Sequence, residues 1–162
     1  MKTSSRVARM AGVTATLLVA VLFLGFKNSG NAVRAKWTCY VMHSASGQAD
    51  IHFTAEIPGG WKMYSQKMTG VDGPLAANIE FDPDPAFQVV GQPTEGGTEE
   101  QAYQPELGME VSYLENSVSY VQHITYTEDK AFAVKCMVNY MLFRDGDILP
   151  PDDEDFTISI VP

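Results

Sequence analysis

An antiparallel all-β sandwich, preceded by an N-terminal targeting segment, is the fold that the sequence predicts. Three observations predict it. From Lys36 onward, apolar and polar residues alternate with a period of two in eight or nine short runs, the pattern of strands with one buried and one wet face. Clusters of Gly, Pro, Asn, Asp and Ser separate those runs at regular intervals. No apolar stripe at helical spacing extends over a useful length after the first 35 residues.

The targeting segment comes first. Lys2, Arg6 and Arg9 form a positive start and residues 10–26 an uncharged, mostly apolar run. Gly30-Asn31-Ala32 or Val33-Arg34-Ala35 then supplies a small-residue cleavage site. Residues 1–35 are assigned to a signal peptide. An uncleaved anchor is the competing assignment, because the run approaches the length of a spanning helix. Ala11, Gly12, Thr14 and Ala15 thin its hydrophobicity and favour cleavage. No cysteine stands directly after the run or at either cleavage site, so a lipid anchor is not supported.

The strands follow in order. Residues 37–43 form the first, ended by Ser44-Ala45-Ser46-Gly47. Residues 51–57 alternate cleanly, and Pro58-Gly59-Gly60 turns the chain into Trp61-Lys62-Met63-Tyr64. A strand over 75–81 is closed by Asp82-Pro83-Asp84-Pro85, and 87–90 is a short apolar strand. Residues 91–108 hold Gly, Pro, Thr and Glu without a sustained period and read as a loop. Strands at 109–114 and 118–127 come next, with Glu115-Asn116-Ser117 as a hairpin turn between them. Glu128-Asp129-Lys130 leads into 131–142, and 156–161 is the last strand. Residues 36–162, about 127 in number, suit one domain with a modest core.

Charge narrows the function. Beyond residue 35 the chain keeps six basic and 20 acidic side chains, a formal charge of −14. Such a surface repels phosphate backbones and anionic lipid, which disfavours nucleic acid and membrane as partners. No serine lies in a Gly-x-Ser-x-Gly context and no Gly-rich phosphate loop precedes a helix. His43, His52 and His123 lie on separate strands without a His-x-x-x-His pair, so zinc has no ligand set. His52, between Ile51 and Phe53, belongs to the wet face. The acidic residues Asp145, Asp147, Asp152, Asp153, Glu154 and Asp155 lack EF-hand spacing and read as a solvated loop stiffened by Pro150-Pro151. No cofactor and no metal are expected.

One segment carries more information. Residues 140–152, Tyr-Met-Leu-Phe-Arg-Asp-Gly-Asp-Ile-Leu-Pro-Pro-Asp, run from an aromatic strand end through a polar turn to a double proline and an acidic start. This segment resembles the active-site turn in the N-terminal periplasmic domain of the thiol:disulfide interchange protein DsbD. Other pieces of that family's pattern arrive in order. Gly60-Trp61-Lys62-Met63-Tyr64 resembles its Gly-aromatic-x-φ-Tyr stretch, and Gly73-Pro74 precedes the next strand. Pro105-Glu106-Leu107-Gly108-Met109 resembles the cap over its active site, and Asp155-Phe156 opens the last strand. The likeness extends over about 37–160.

The resemblance implies an immunoglobulin-like sandwich that exchanges electrons through mixed disulfides, with a redox cysteine on each side of the turn. Here those two places hold Phe143 and Ile148. Neither can form a thiolate, and only a thiolate attacks a disulfide. The resemblance also implies that Trp61 and Tyr64 border the site and that Glu106 and Leu107 shield it; Tyr140 and Leu149, an aromatic and an aliphatic flanking the turn, join them as candidate binding residues. The cap lacks an aromatic residue that some members place there, a second departure that agrees with the first.

Cys39 and Cys136 are the only cysteines and fall on different strands. Cys136 shares a face with Val134, Val138 and Tyr140, and Cys39 with Trp37 and Val41, so both are expected inward. They are read as buried small side chains, or as one structural disulfide if their Cα atoms approach within about 7 Å.

The expectation is an exported, monomeric, redox-inactive module that binds a periplasmic or envelope protein, itself a candidate thiol–disulfide exchange component. If the turn is exposed, Phe143, Ile148 and Leu149 would form an acid-rimmed apolar patch. The alternatives are thiol–disulfide exchange through Cys39 and Cys136, and a structural accessory module.

Overall fold

A computed structural model describes residues 32–68 and 76–162. The segment 1–31, most of the signal peptide assignment, lies outside the described residues, as do Gly73-Pro74 and the start of the strand read at 75–81. Among the described residues every regular element is a strand. In chain order they are β1 (Lys36–Ala45), β2 (Gln48–Glu56), β3 (Lys62–Tyr64), β4 (Asn78–Phe81), β5 (Phe87–Gly96) and β6 (Glu99–Gln104). They continue with β7 (Met109–Glu115), β8 (Ser117–Tyr126), β9 (Phe132–Tyr140), β10 (Leu142–Arg144), β11 (Asp147–Ile148) and β12 (Asp152–Ile160). Among the described residues no helix is long and apolar enough to cross a membrane.

Three antiparallel sheets result, ordered β1-β2-β8-β5, β11-β10-β3-β7-β6 and β12-β9-β4. The first and third face each other across the main core, in an immunoglobulin-like sandwich. Alternation explains the core membership. Along β2 the residues Ala49, Ile51, Phe53 and Ala55 are fully buried while Asp50, His52 and Thr54 are half-exposed. Along β8 the residues Val118, Tyr120, Ile124 and Tyr126 point inward, and β9 adds Val134, Cys136, Val138 and Tyr140. Phe53 meets Phe156 and Phe81 edge-on at 5.3 and 6.4 Å between ring centres. Such pairs add about 0.5–1.5 kcal/mol each beyond burial. A second, smaller core of Tyr64, Val111, Tyr113, Met141 and Phe143 belongs to the middle sheet.

Four features differ from the sequence reading. Much of the 91–108 region is strand. β5 continues to Gly96 through a register shift between Val90 and Thr94, with Gly91 at φ 70 supplying a left-handed bulge residue. β6 pairs with β7 along its whole length. It is an edge strand that turns only Ala102 and Gln104 inward, so it carries no apolar period.

The turn at 115–117 is a corner rather than a hairpin. β7 and β8 lie in different sheets, and Asn116, at φ 64, swings the chain between them. The strand read at 131–142 is two strands. It breaks at Met141, and β10 leaves the third sheet to pair with β3. Finally, Asp152 to Asp155 belong to a strand instead of a solvated loop, since β12 pairs with β9 from Asp152 onward. At an edge the carboxylates reach solvent while the backbone is paired.

Candidate functional site

The break at Met141 builds the site. In β9 the inward residues are Val134, Cys136, Val138 and Tyr140, and Tyr140 stays in the main core at 1% exposure. The alternation runs on through the break: Leu142 joins the main core, while Met141 and Phe143, on the face that points outward in β9, enter the second core. β10 and β11 form a tight hairpin across Asp145-Gly146, with Gly146 at φ 75. Its register pairs Phe143 directly with Ile148, and Arg144 with Asp147. The Leu149 N–H donates to the Leu142 carbonyl at 3.0 Å. The Phe143–Ile148 pair is therefore of the non-hydrogen-bonded kind, whose side chains stand closest.

Phe143 is 5% exposed. Its ring stacks on Tyr64 at 4.3 Å and meets Tyr113 edge-on at 5.6 Å. The Tyr64 hydroxyl donates to Gln104 Oε1 at 2.8 Å, tying this stack to the end of β6. Burial, the larger influence, raises both phenols above the usual tyrosine range. From Gln104 to Gly108 the chain folds over as a cap, held by Gly108 N–H to the Gln104 carbonyl at 2.9 Å, with Gly108 at φ 67. Leu107 packs onto the second core and Glu106 is exposed. Between cap and hairpin lies a cavity of about 310 Å³, with Phe143 and Val111 as apolar walls and Lys62, Arg144, Glu106 and Asp145 around it.

The expected site residues separate into two layers. Tyr64, Glu106, Leu107, Phe143 and Ile148 gather around the cap and hairpin. Trp61 and Leu149 pack on the main core beneath. Tyr140 faces away and donates its hydroxyl to Asp152 at 2.9 Å. The displayed apolar patch of Phe143, Ile148 and Leu149 is not what the fold builds, because Tyr64 and Tyr113 cover the phenyl ring and Ile148 and Leu149 are half-buried.

Two cations escaped the sequence reading. Lys62 Nζ lies 4.6 Å from the Tyr113 ring centre, with Glu115 at 3.7 Å and Asp145 at 3.8 Å. The Arg144 guanidinium lies 4.6 Å from the Trp61 ring. As the one basic residue in the 140–152 segment, Arg144 could have been singled out.

Both cysteines are free thiols. Cys136 is buried and Cys39 half-buried against the main core, and burial pushes each thiol up to about 12. At pH 7 that leaves a thiolate fraction on the order of 10⁻⁵.

No protein-family profile and no curated protein sequence matches the chain. Solved structures do. The Neisseria meningitidis DsbD N-terminal domain in its reduced form aligns with a TM-score of 0.50 at 18% identity, covering 76% of this chain and 86% of that one. A complex between the DsbD N-terminal and PilB N-terminal domains from Neisseria meningitidis aligns with a TM-score of 0.44 at 18% identity, covering 75% and 80%. The chain has the immunoglobulin-like fold of the DsbD N-terminal domain.

Proposed function

We propose that this protein is an exported module of the DsbD N-terminal type that binds a periplasmic or envelope protein at its cap-and-hairpin end, without thiol redox chemistry of its own. The observation that carries this reading is the Phe143–Ile148 pair. Two facing positions lie beside a cap, as the family resemblance implies for the redox cysteines, and both are hydrocarbon. A benzyl and a sec-butyl group can neither attack nor hold a disulfide. The scaffold around them keeps a cavity, an aromatic floor and a rim of both charges, which suits recognition of a protein surface. The competing route through Cys39 and Cys136 has their burial and raised pKa against it.

The test pairs two measurements on one probe, a periplasmic thiol–disulfide exchange protein whose resolving cysteine is removed so that mixed disulfides persist. Titration should show binding that Leu107→Asp weakens by roughly ten-fold or more, as expected for one well-packed contact. Non-reducing gels should show no covalent adduct. An adduct through Cys39 or Cys136 would overturn the non-catalytic reading, and affinity unchanged by Leu107→Asp would remove the cap from the contact.

A further inference from the structure

We propose that Arg34 is a positioning residue of the working protein, latching the base of the site hairpin, and that the leader is accordingly cut after Ala32 rather than after Ala35. This rests on the export reading above. Tyr140 and Asp152 are register partners, and the excursion between them carries Phe143, Ile148 and Leu149. Arg34 Nε donates to Asp152 Oδ2 at 2.6 Å, and Nη2 reaches both Asp152 Oδ1 and the Asp153 carbonyl, the latter at 3.0 Å. The Tyr140 hydroxyl donates to the same Asp152 Oδ2. One carboxylate thus gathers the segment before β1, the end of β9 and the start of β12.

The neighbouring sequence makes this attachment necessary. After the Leu149 N–H has bonded the Leu142 carbonyl, Pro150 and Pro151 supply no backbone donor. The returning arm therefore offers no backbone N–H donor between Leu149 and Asp152. No other cation pairs with Asp152 among the described residues, since Lys36 pairs with Glu56 instead. Ala35 is 7% exposed and part of the main core. Cutting at Val33-Arg34-Ala35 would remove the guanidinium and a core residue together. Cutting at Gly30-Asn31-Ala32 satisfies the same small-residue rule and removes neither.

Expression of the full chain with its own leader in a Gram-negative host, followed by N-terminal sequencing and intact mass, tests the cut. A product beginning at Val33 is expected. One beginning at Lys36 overturns the proposal and leaves export standing, whereas an uncut chain in the cytoplasm overturns both. Hydrogen exchange tests the latch in the exported Arg34→Gln variant. Amides of 142–152 should exchange about ten-fold faster while those of β2 and β8 keep their protection, and Arg34→Lys should recover part of the loss. Unchanged exchange at 142–152, or an equal rise everywhere, overturns the positioning role.

Discussion

Restoring sulfur at the two facing positions gives the sharpest check on the site. In the double variant Phe143→Cys/Ile148→Cys, the cysteines occupy a non-hydrogen-bonded cross-strand pair, where Cα atoms stand about 4.5 Å apart. That separation lies at the short end of the range a disulfide spans, roughly 4.4–6.8 Å. Closing a loop of about six residues removes about 2 kcal/mol of chain entropy from the unfolded state. Against this, truncating a buried phenylalanine costs about 3–5 kcal/mol in general. The lower half of that range applies here because Phe143 borders a cavity and so has fewer packing partners to lose on that side. With the half-buried Ile148 adding about 1 kcal/mol, the reduced variant should be less stable than the parent by about 4 kcal/mol, and its oxidised form should recover about 2 kcal/mol of that.

Urea unfolding with and without reductant measures the difference, and intact mass shows the loss of two hydrogen atoms to the added oxidant. Labelling is counted against the parent, in which Cys39 and Cys136 are equally present. Two engineered thiols that stay fully labelable after oxidant treatment, or an unfolding midpoint indifferent to reductant, would show that Phe143 and Ile148 do not face each other.

Two further outcomes follow from polar contacts, one buried and one partly exposed. Glu95 is buried in β5 and accepts the Ser65 hydroxyl at 2.6 Å and the Gln66 N–H at 2.9 Å; Ser65→Ala should destabilise the fold by about 1.5–3 kcal/mol, the range for a hydrogen bond to a charged group, and a change below half that in urea midpoint analysis would contradict the assignment. Burial alone would raise the Asp152 carboxyl, but hydrogen bonds from Arg34 and Tyr140 outweigh it and hold the group below its ordinary 3.8. The stability this contributes is complete above pH 3.8 and is lost as pH falls through the lower folded value. Asp152→Asn should therefore flatten the acid limb of a urea-midpoint profile below about pH 4, and a parallel profile would speak against it.

Much of the strand architecture was legible because one wet face and one dry face impose a period of two, as along 51–57 and 118–127. Cys136 and Tyr140 could be placed inward on that ground alone. β6 could not, since an edge strand with polar residues on both faces leaves no periodic mark. The aromatic pieces of the site were legible as types and spacings. Their arrangement was not: the chain changes sheets at Met141, and no local propensity in Tyr140-Met141-Leu142 announces that exchange of partners.

Composition and order therefore settled the all-β class, the acidic balance and the absence of sulfur at Phe143 and Ile148, all properties carried residue by residue. Long-range pairing settled what those residues do. It set Phe143 opposite Ile148, buried the phenyl ring under Tyr64 and Tyr113, turned Tyr140 towards Asp152 and brought Arg34 to a carboxylate 118 positions away. Contacts of that span depend on which strands are neighbours, and strand adjacency is fixed by the collective burial of both cores rather than by any short stretch of chain.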